Sequence, residues 1–239
     1  MLKEAIEKIL SLAKPTHIKI EERTFIGNGY SELPSEQGVD SFTVNTITGL
    51  LDYVKSEFDT SRKMMIHIES PTKIRLFDAL NTTNDRRTYL KATALLPEIQ
   101  FGRLIDRESF QIALQANYCL NDDKEELLQV VSHMTIGEGA TVKDNGVTQE
   151  VTVKQGVELD RVDLKERYTL MPFRTFIEVD QPASEFIFRV KDDGQKGIYC
   201  GLFEADGGAW ELNAMHSIKK YLEENLKEEV AAKRIYIVS

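Results

Sequence analysis

The 239-residue sequence has no run of apolar residues near the ~18 that a bilayer-crossing helix needs. Its first residues alternate charge with Leu, Ile and Ala, and lack the unbroken apolar stretch and small-residue cleavage site of a secretory signal. The expected compartment is therefore the cytoplasm, with no membrane partner. Cysteine is scarce: Cys119 and Cys200 are the whole supply. Two thiols make neither a disulfide scaffold nor a four-thiolate metal centre, and apolar neighbours mark both as buried. With 6 Pro and 14 Gly the chain is neither collagen-like nor of low complexity.

Motifs that carry chemistry are missing as well. His17, His67, His133 and His216 stand apart, none with a second His or Cys at helical or strand spacing, so no metal signature exists. There is no GxxxxGK[ST] and no GxGxxG, and Gly27-Asn28-Gly29 and Gly137-Glu138-Gly139 read as turns. No Ser sits in a GxSxG elbow and neither Cys has a nearby His, which leaves covalent catalysis without support. The sequence thus assigns no catalytic residue and no cofactor.

What is present is an acidic chain with enough apolar material for a core. Hydrophobic residues make up 41 %, and 39 Asp+Glu against 30 Lys+Arg give a net charge of -9. That balance opposes generic polyanion binding. One stretch runs the other way: residues 62–91 hold seven bases against three acids.

Periodicity predicts a helix over 2–13 (Leu2, Ile6, Ile9, Leu10 and Ala13 on one stripe), a strand over 17–26, a loop over 27–40 and a helix over 44–58 capped by Thr43 or Asn45, with Phe58 on its apolar face. Strands at 64–68, 73–80 and 87–95 form a meander. Asp106 or Ser109 caps a helix running to Leu120, and 124–133 is another. From residue 134 the period becomes 2, giving strands over 134–143, 147–154, 167–173, 174–180, 185–191 and 197–204, with hairpin turns at Asn145-Gly146 and at Asp192-Asp193-Gly194. A helix over about 210–229 and a strand over 235–238 close the chain. The expected class is α+β: an N-terminal helix plus β-meander over 1–100, then central helices and a larger antiparallel sheet closed by a long C-terminal helix over 101–239, the two regions forming one continuous domain.

Three groups of residues are candidate sites. Period 2 puts Lys73, Arg75 and Phe77 on one strand face and Arg87, Tyr89 and Lys91 on one face of the next. Interleaved cations and aromatics of that kind follow a phosphate backbone and stack bases, and a solvated sheet face has the same pattern. In the dense stretch 173–189, Arg174, Glu178 and Arg189 project from strand surfaces as a candidate interface, together with Trp210. Glu204 and Asp206, two apart before Gly207-Gly208, are half of a carboxylate metal or acid–base site, or a strand-to-helix turn in which Asp206 caps and Trp210 anchors.

Several of these segments carry a family resemblance. Arg87-x-Tyr89, the stretch from Leu96-Pro97-Glu98 through Gly102-Arg103-Leu104-Ile105-Asp106 to Glu108-Ser109-Phe110, Gly146-Val147-x-Gln149-Glu150, Pro172-Phe173-Arg174-Thr175-Phe176-x-Glu178-Val179, Phe186-x-Phe188-Arg189 and Asp206-Gly207-Gly208-Ala209-Trp210 resemble the YfdQ-like proteins. That group is encoded by bacteriophages and prophages. The resemblance covers roughly residues 40–230. It implies a viral or prophage protein acting in the bacterial cytoplasm, and it brings no activity, cofactor or catalytic residue to transfer.

The leading expectation is a non-enzymatic, self-associating protein that works through surfaces, since numerous strand edges invite pairing between copies. A host protein or a small anionic ligand held between subunits would be its partner. The alternative is a single-stranded DNA binder of phage recombination or replication using Lys73, Arg75, Arg87, Tyr89 and Lys91. A third is a divalent-ion hydrolase built on Glu204 and Asp206.

Overall fold

The computed structural model describes residues 2–13, 17–20, 23–26, 31–33, 40–59, 62–80, 84–134, 143–144, 149–155, 158–193 and 197–239. In chain order these form α1 (Leu2–Ala13), β1 (His17–Ile20), β2 (Arg23–Ile26), β3 (Ser31–Leu33), β4 (Phe42–Val44), α2 (Ile47–Ser56), β5 (Met64–Ser70), β6 (Lys73–Asp78), β7 (Thr88–Thr93) and β8 (Ile105–Asp106). There follow α3 (Arg107–Asn117), α4 (Asp122–His133), β9 (Lys143–Asp144), β10 (Gln149–Gln155), β11 (Glu158–Asp163), β12 (Tyr168–Leu170), β13 (Ser184–Asp192), β14 (Ile198–Glu204), α5 (Ala209–Asn225), α6 (Lys227–Ala231) and β15 (Ile235–Val238). The class is α+β.

The meander is present as β5-β6-β7, and it lies inside a larger sheet of order β15-β5-β6-β7-β4. Both outer strands pair in parallel, β15 with β5 and β4 with β7. One face of this sheet carries Ile66, Ile68, Ile74, Leu76, Leu90 and Ala92, all at most 1 % exposed. The stripe Ile47, Leu50, Leu51 and Val54 of α2 packs on it, and so does the stripe Ile218 and Leu222 of α5, continued by Leu226. The long C-terminal helix therefore covers this first sheet and not the four-stranded one that follows. Its i, i+4, i+8 apolar row matches the face that β15 extends when it joins β5. The division expected at residue 100 is crossed by α5, α6 and β15.

The helix α2 begins later than expected. Phe42, Thr43 and Val44 are spent on pairing with Leu90, Lys91 and Ala92, so the cap is Thr46, whose Oγ1 accepts from Gly49 N–H at 3.0 Å. Glu57, left-handed at φ 51°, ends the helix, and Phe58 is thrown outward to 85 % exposure.

A second core holds α3, α4 and the sheet β12-β13-β14-β8. Asp106 caps α3 by accepting from Ser109 N–H, and Asn121 caps α4 by accepting from Lys124 N–H, both at 2.9 Å. Lys124 is only 6 % exposed. Its Nζ donates to Gln115 O and Tyr118 O at 3.1 and 2.6 Å, so a cation satisfies the free carbonyls at the end of α3. The chain at Arg103 runs tightly over Gly201, where a Cβ would meet Arg103 O at 2.3 Å. Only glycine leaves room there. Most of 134–143 and the Asn145-Gly146 turn lie outside the described residues, although Gln149 pairs antiparallel with Asp144.

The strand expected over 174–180 is absent. Residues 173–183 form an irregular segment that is buried nevertheless, and Phe176 and Val179 insert into the first core. Buried backbone without ladder partners is costly. One side chain resolves this: Gln181 Oε1 accepts from the N–H groups of Arg174 and Thr175 at 3.0 and 3.2 Å, and its Nε2 donates to Phe176 O and Val179 O at 3.1 and 3.3 Å. Thr175 Oγ1 donates to Pro71 O at 2.6 Å, docking the segment on the β5–β6 turn.

Among the described residues, neither core includes one before Val44, and β1, β2 and β3 pair with one another. What was expected as a single strand over 17–26 is a hairpin. Leu2, Ile6 and Ile9 of α1 are 79, 48 and 64 % exposed.

Replacing Gln181 by Leu keeps the volume but strands four backbone groups. The expected loss is about 2–4 kcal/mol, read as a lower urea midpoint with an unchanged m-value.

Candidate functional site

Four of the sequence candidates meet at the junction of the two cores. Arg174 enters on the irregular segment, Glu204 is the last residue of β14, Asp206 lies in the turn, and Trp210 opens α5. The turn needs Gly207 and Gly208, at φ 64° and 83°, to reverse the chain from strand to helix. The Arg174 guanidinium lies 3.9 Å from the centre of the Trp210 ring and 5.7 Å from that of Phe186. Its Nη1 donates to Glu204 Oε1 at 2.6 Å, and its Nη2 donates to Ser184 Oγ. The Arg174 side chain is 7 % exposed and that of Glu204 41 %. Burial lowers the Arg174 pKa and Glu204 opposes the shift; an arginine stays charged all the same.

The neighbours respond to this charge. Burial pushes the Asp206 carboxyl up, but the Ser184 hydroxyl, the N–H groups of Gly208 and Trp210 and the Arg174 charge outweigh it and leave its pKa below the ordinary value. Burial raises the Tyr118 phenol, against the pull of Arg174. An aromatic cage filled by the protein's own cation is a latch between chain segments. The Glu204 carboxylate is occupied by that cation, and among the described residues no three His, Cys, Asp or Glu side chains gather as a metal site. Cys200 is fully buried and its thiol is pushed up to about 12, mainly by burial, so it stays protonated at neutral pH.

The remaining interface candidates go elsewhere. Glu178 Oε1 accepts from Thr48 N–H and Oγ1 at 3.2 and 3.4 Å, placing a carboxylate at the first turn of α2. Arg189 Nη1 donates to Phe188 O at 3.2 Å.

The basic candidates divide. Lys73, Arg75 and Lys91 lie on the face of the five-stranded sheet that no described helix covers, and Arg75 and Lys91 are direct cross-strand partners. The register slips between Leu76 and Phe77, so Thr88 pairs with Phe77 and Tyr89 is the extra residue. That bulge turns Tyr89 to the helix-covered face. It is buried there, 6.4 Å from the Tyr53 ring, and donates to Asp78 Oδ2 at 3.0 Å. Arg87 follows it, its guanidinium 5.1 Å from the Tyr89 ring centre. The expectation that Arg87, Tyr89 and Lys91 line one open face is thus corrected by one unpaired residue.

On the open face, Arg75 pairs with Glu69 and stands 5.5 Å from the Phe77 ring centre, and the His67 ring lies tilted to the same ring with centres 6.3 Å apart. Tyr236 and Met65 are cross-strand partners, as are Met65 and Phe77. Lys63 and Arg86 belong to the basic stretch 62–91 but were not among the site candidates, and Tyr236 was missed altogether. The only signal for Tyr236 was the alternation in Ile235–Val238, which becomes informative once β15 is seen beside β5.

Compared with known proteins, the chain matches no family model, no curated protein and no solved structure. No described helix is long and apolar enough to cross a membrane.

Trp210 is the single tryptophan and reports on the latch. Arg174→Lys, which loses the planar stack and the two-pronged contact, is expected to cost about 1–3 kcal/mol and to change Trp210 emission in the folded state. Glu204→Gln, at a half-exposed partner, is expected to cost less than about 1 kcal/mol. Because the folded pKa of Asp206 is depressed, its contribution is present above the ordinary carboxylate pKa of about 3.9 and is lost as pH falls through the folded value. Asp206→Asn is expected to flatten the stability profile below about pH 4, measured by urea unfolding at stepped pH.

Proposed function

We propose that this chain is a non-enzymatic binding protein that works as an assembly of its own copies, in the cytoplasm of a bacterium carrying the phage or prophage that the sequence resemblance implies. The observation that carries the self-association is the bare apolar seam of α1. A 12-residue helix is marginal alone in water, and its apolar stripe stabilises it only when covered. Among the described residues, Leu2, Ile6 and Ile9 remain exposed and α1 packs extensively on no other element.

A second copy suits this seam. Leu2, Ile6, Ile9 and Ala13 are spaced four, three and four apart, the rhythm by which two helices interlock. The flanking Lys3, Glu4, Glu7 and Lys8 sum to zero. Two such helices meet without the repulsion that a chain of net charge -9 generates elsewhere. No described residue of α1 belongs to either core, so the helix can pair without disturbing them.

Light scattering across micromolar concentrations is expected to give a multiple of the chain mass, and a monomer throughout defeats the proposal. Ile6→Glu combined with Ile9→Glu is expected to yield monomers whose unfolding free energy changes by less than about 0.5 kcal/mol per chain, since both positions lie outside the cores.

A further inference from the structure

We propose that the open face of the five-stranded sheet, with the cavity at its β15 edge, binds single-stranded nucleic acid, bases on an apolar row and phosphates on the cations around it. Cross-strand register builds two adjacent rows. Tyr236, Met65 and Phe77 form one, and His67, Arg75 and Lys91 form the next. The rows are two residues apart along the strands, or about 7 Å. An aromatic row beside a basic row is the arrangement that stacks bases while holding the backbone.

The cavity continues the apolar row. It measures about 290 Å³, walled by Met65, Leu80 and Tyr236, with Lys63 and Arg86 on its rim. That is near the lower bound of ligand-sized pockets, room for one nucleotide unit. Asp78 also lines it, but both carboxylate oxygens are engaged, Oδ1 by Ala79 N–H and Oδ2 by the Tyr89 hydroxyl.

Charge selects the occupant. Lys63, Lys73, Arg75, Arg86 and Lys91 stand against three carboxylates of the same stretch, Glu69, Asp78 and Asp85. Arg75 is held by Glu69, and the other four cations have no ion-pair partner among the described residues. This is a cationic surface on a chain of net charge -9, with exposed Tyr236 in its midst. Acidic peptides satisfy the cations but leave the aromatic row unused. Duplexes keep their bases stacked inside and cannot reach it. Only an unpaired strand uses both.

This inference is independent of the α1 seam, and the Ile6→Glu, Ile9→Glu chain must bind equally well per subunit. The probe is a fluorescein-labelled oligothymidylate of about 12 nucleotides, read by anisotropy from 50 to 200 mM salt, with a hairpin duplex and poly-glutamate as competitors. Four to five phosphate contacts predict a log–log salt slope of about -3. Tyr236→Ala is expected to weaken binding at least fivefold with the slope unchanged. Lys73→Gln with Lys91→Gln is expected to make the slope shallower by about 1.4. Melting curves check that these exposed variants stay folded. No binding at 50 mM salt overturns the proposal. So does poly-glutamate competing as well as the oligonucleotide with no effect of Tyr236→Ala. A fall in native mass of the Tyr236→Ala chain also overturns it, because it makes this face an interface between copies.

Discussion

The arrangement of the two cores depends on a charge that has nowhere else to go. Arg174 is carried inward by a segment that cannot form a strand, and its guanidinium settles between the rings of Trp210 and Phe186 with Glu204 in reach. Removing a buried cation from water is expensive, and an ion pair repays that cost only when the geometry is good. The pair therefore adds less to stability than to definition. Three stretches, 173–183, the end of β14 and the start of α5, are forced into one relative position. With α5 fixed there, its apolar row falls on the first sheet, and β15 is delivered to the edge of β5.

That delivery gives the five-stranded sheet its asymmetry. One face is sealed by α2 and α5 and packs as a core, with Ile66, Ile74, Leu76 and Leu90 wholly buried. The other keeps His67, Arg75, Lys91 and Tyr236 toward solvent. A single bulge at Tyr89 sharpens the difference, moving an aromatic and its attendant Arg87 off the open side. What remains there is compact, cationic and fringed by the apolar wall of a small cavity. The described residues of the α1 seam belong to neither core, so assembly and surface binding are separable in physical terms.

Local pattern made much of the framework legible. The stripe of α2, the alternation in β5, β6, β13 and β14 and the cap at Asp106 all concern residues within a few positions of one another. Where the pattern misled, a distant partner was responsible. Phe173 to Val179 alternate like a strand, yet Gln181 closes their backbone groups into a loop. Thr43 looks like a cap, yet it is paired with Lys91 in β7. Of the site candidates, Arg174, Glu204, Asp206 and Trp210 were recognisable as unusual residues, but nothing in their spacing showed that they meet.

By itself the sequence determined the composition of each face: which residues are apolar, how often they recur, and that cations concentrate between residues 62 and 91 in an otherwise acidic chain. Tertiary structure decided which faces meet. Parallel pairing of β15 with β5, the docking of α5 on the first sheet and the seating of Arg174 join residues far apart in the chain. Such contacts leave no periodic trace, because hydrophobic spacing records that a surface must be buried and carries no information about which surface will bury it.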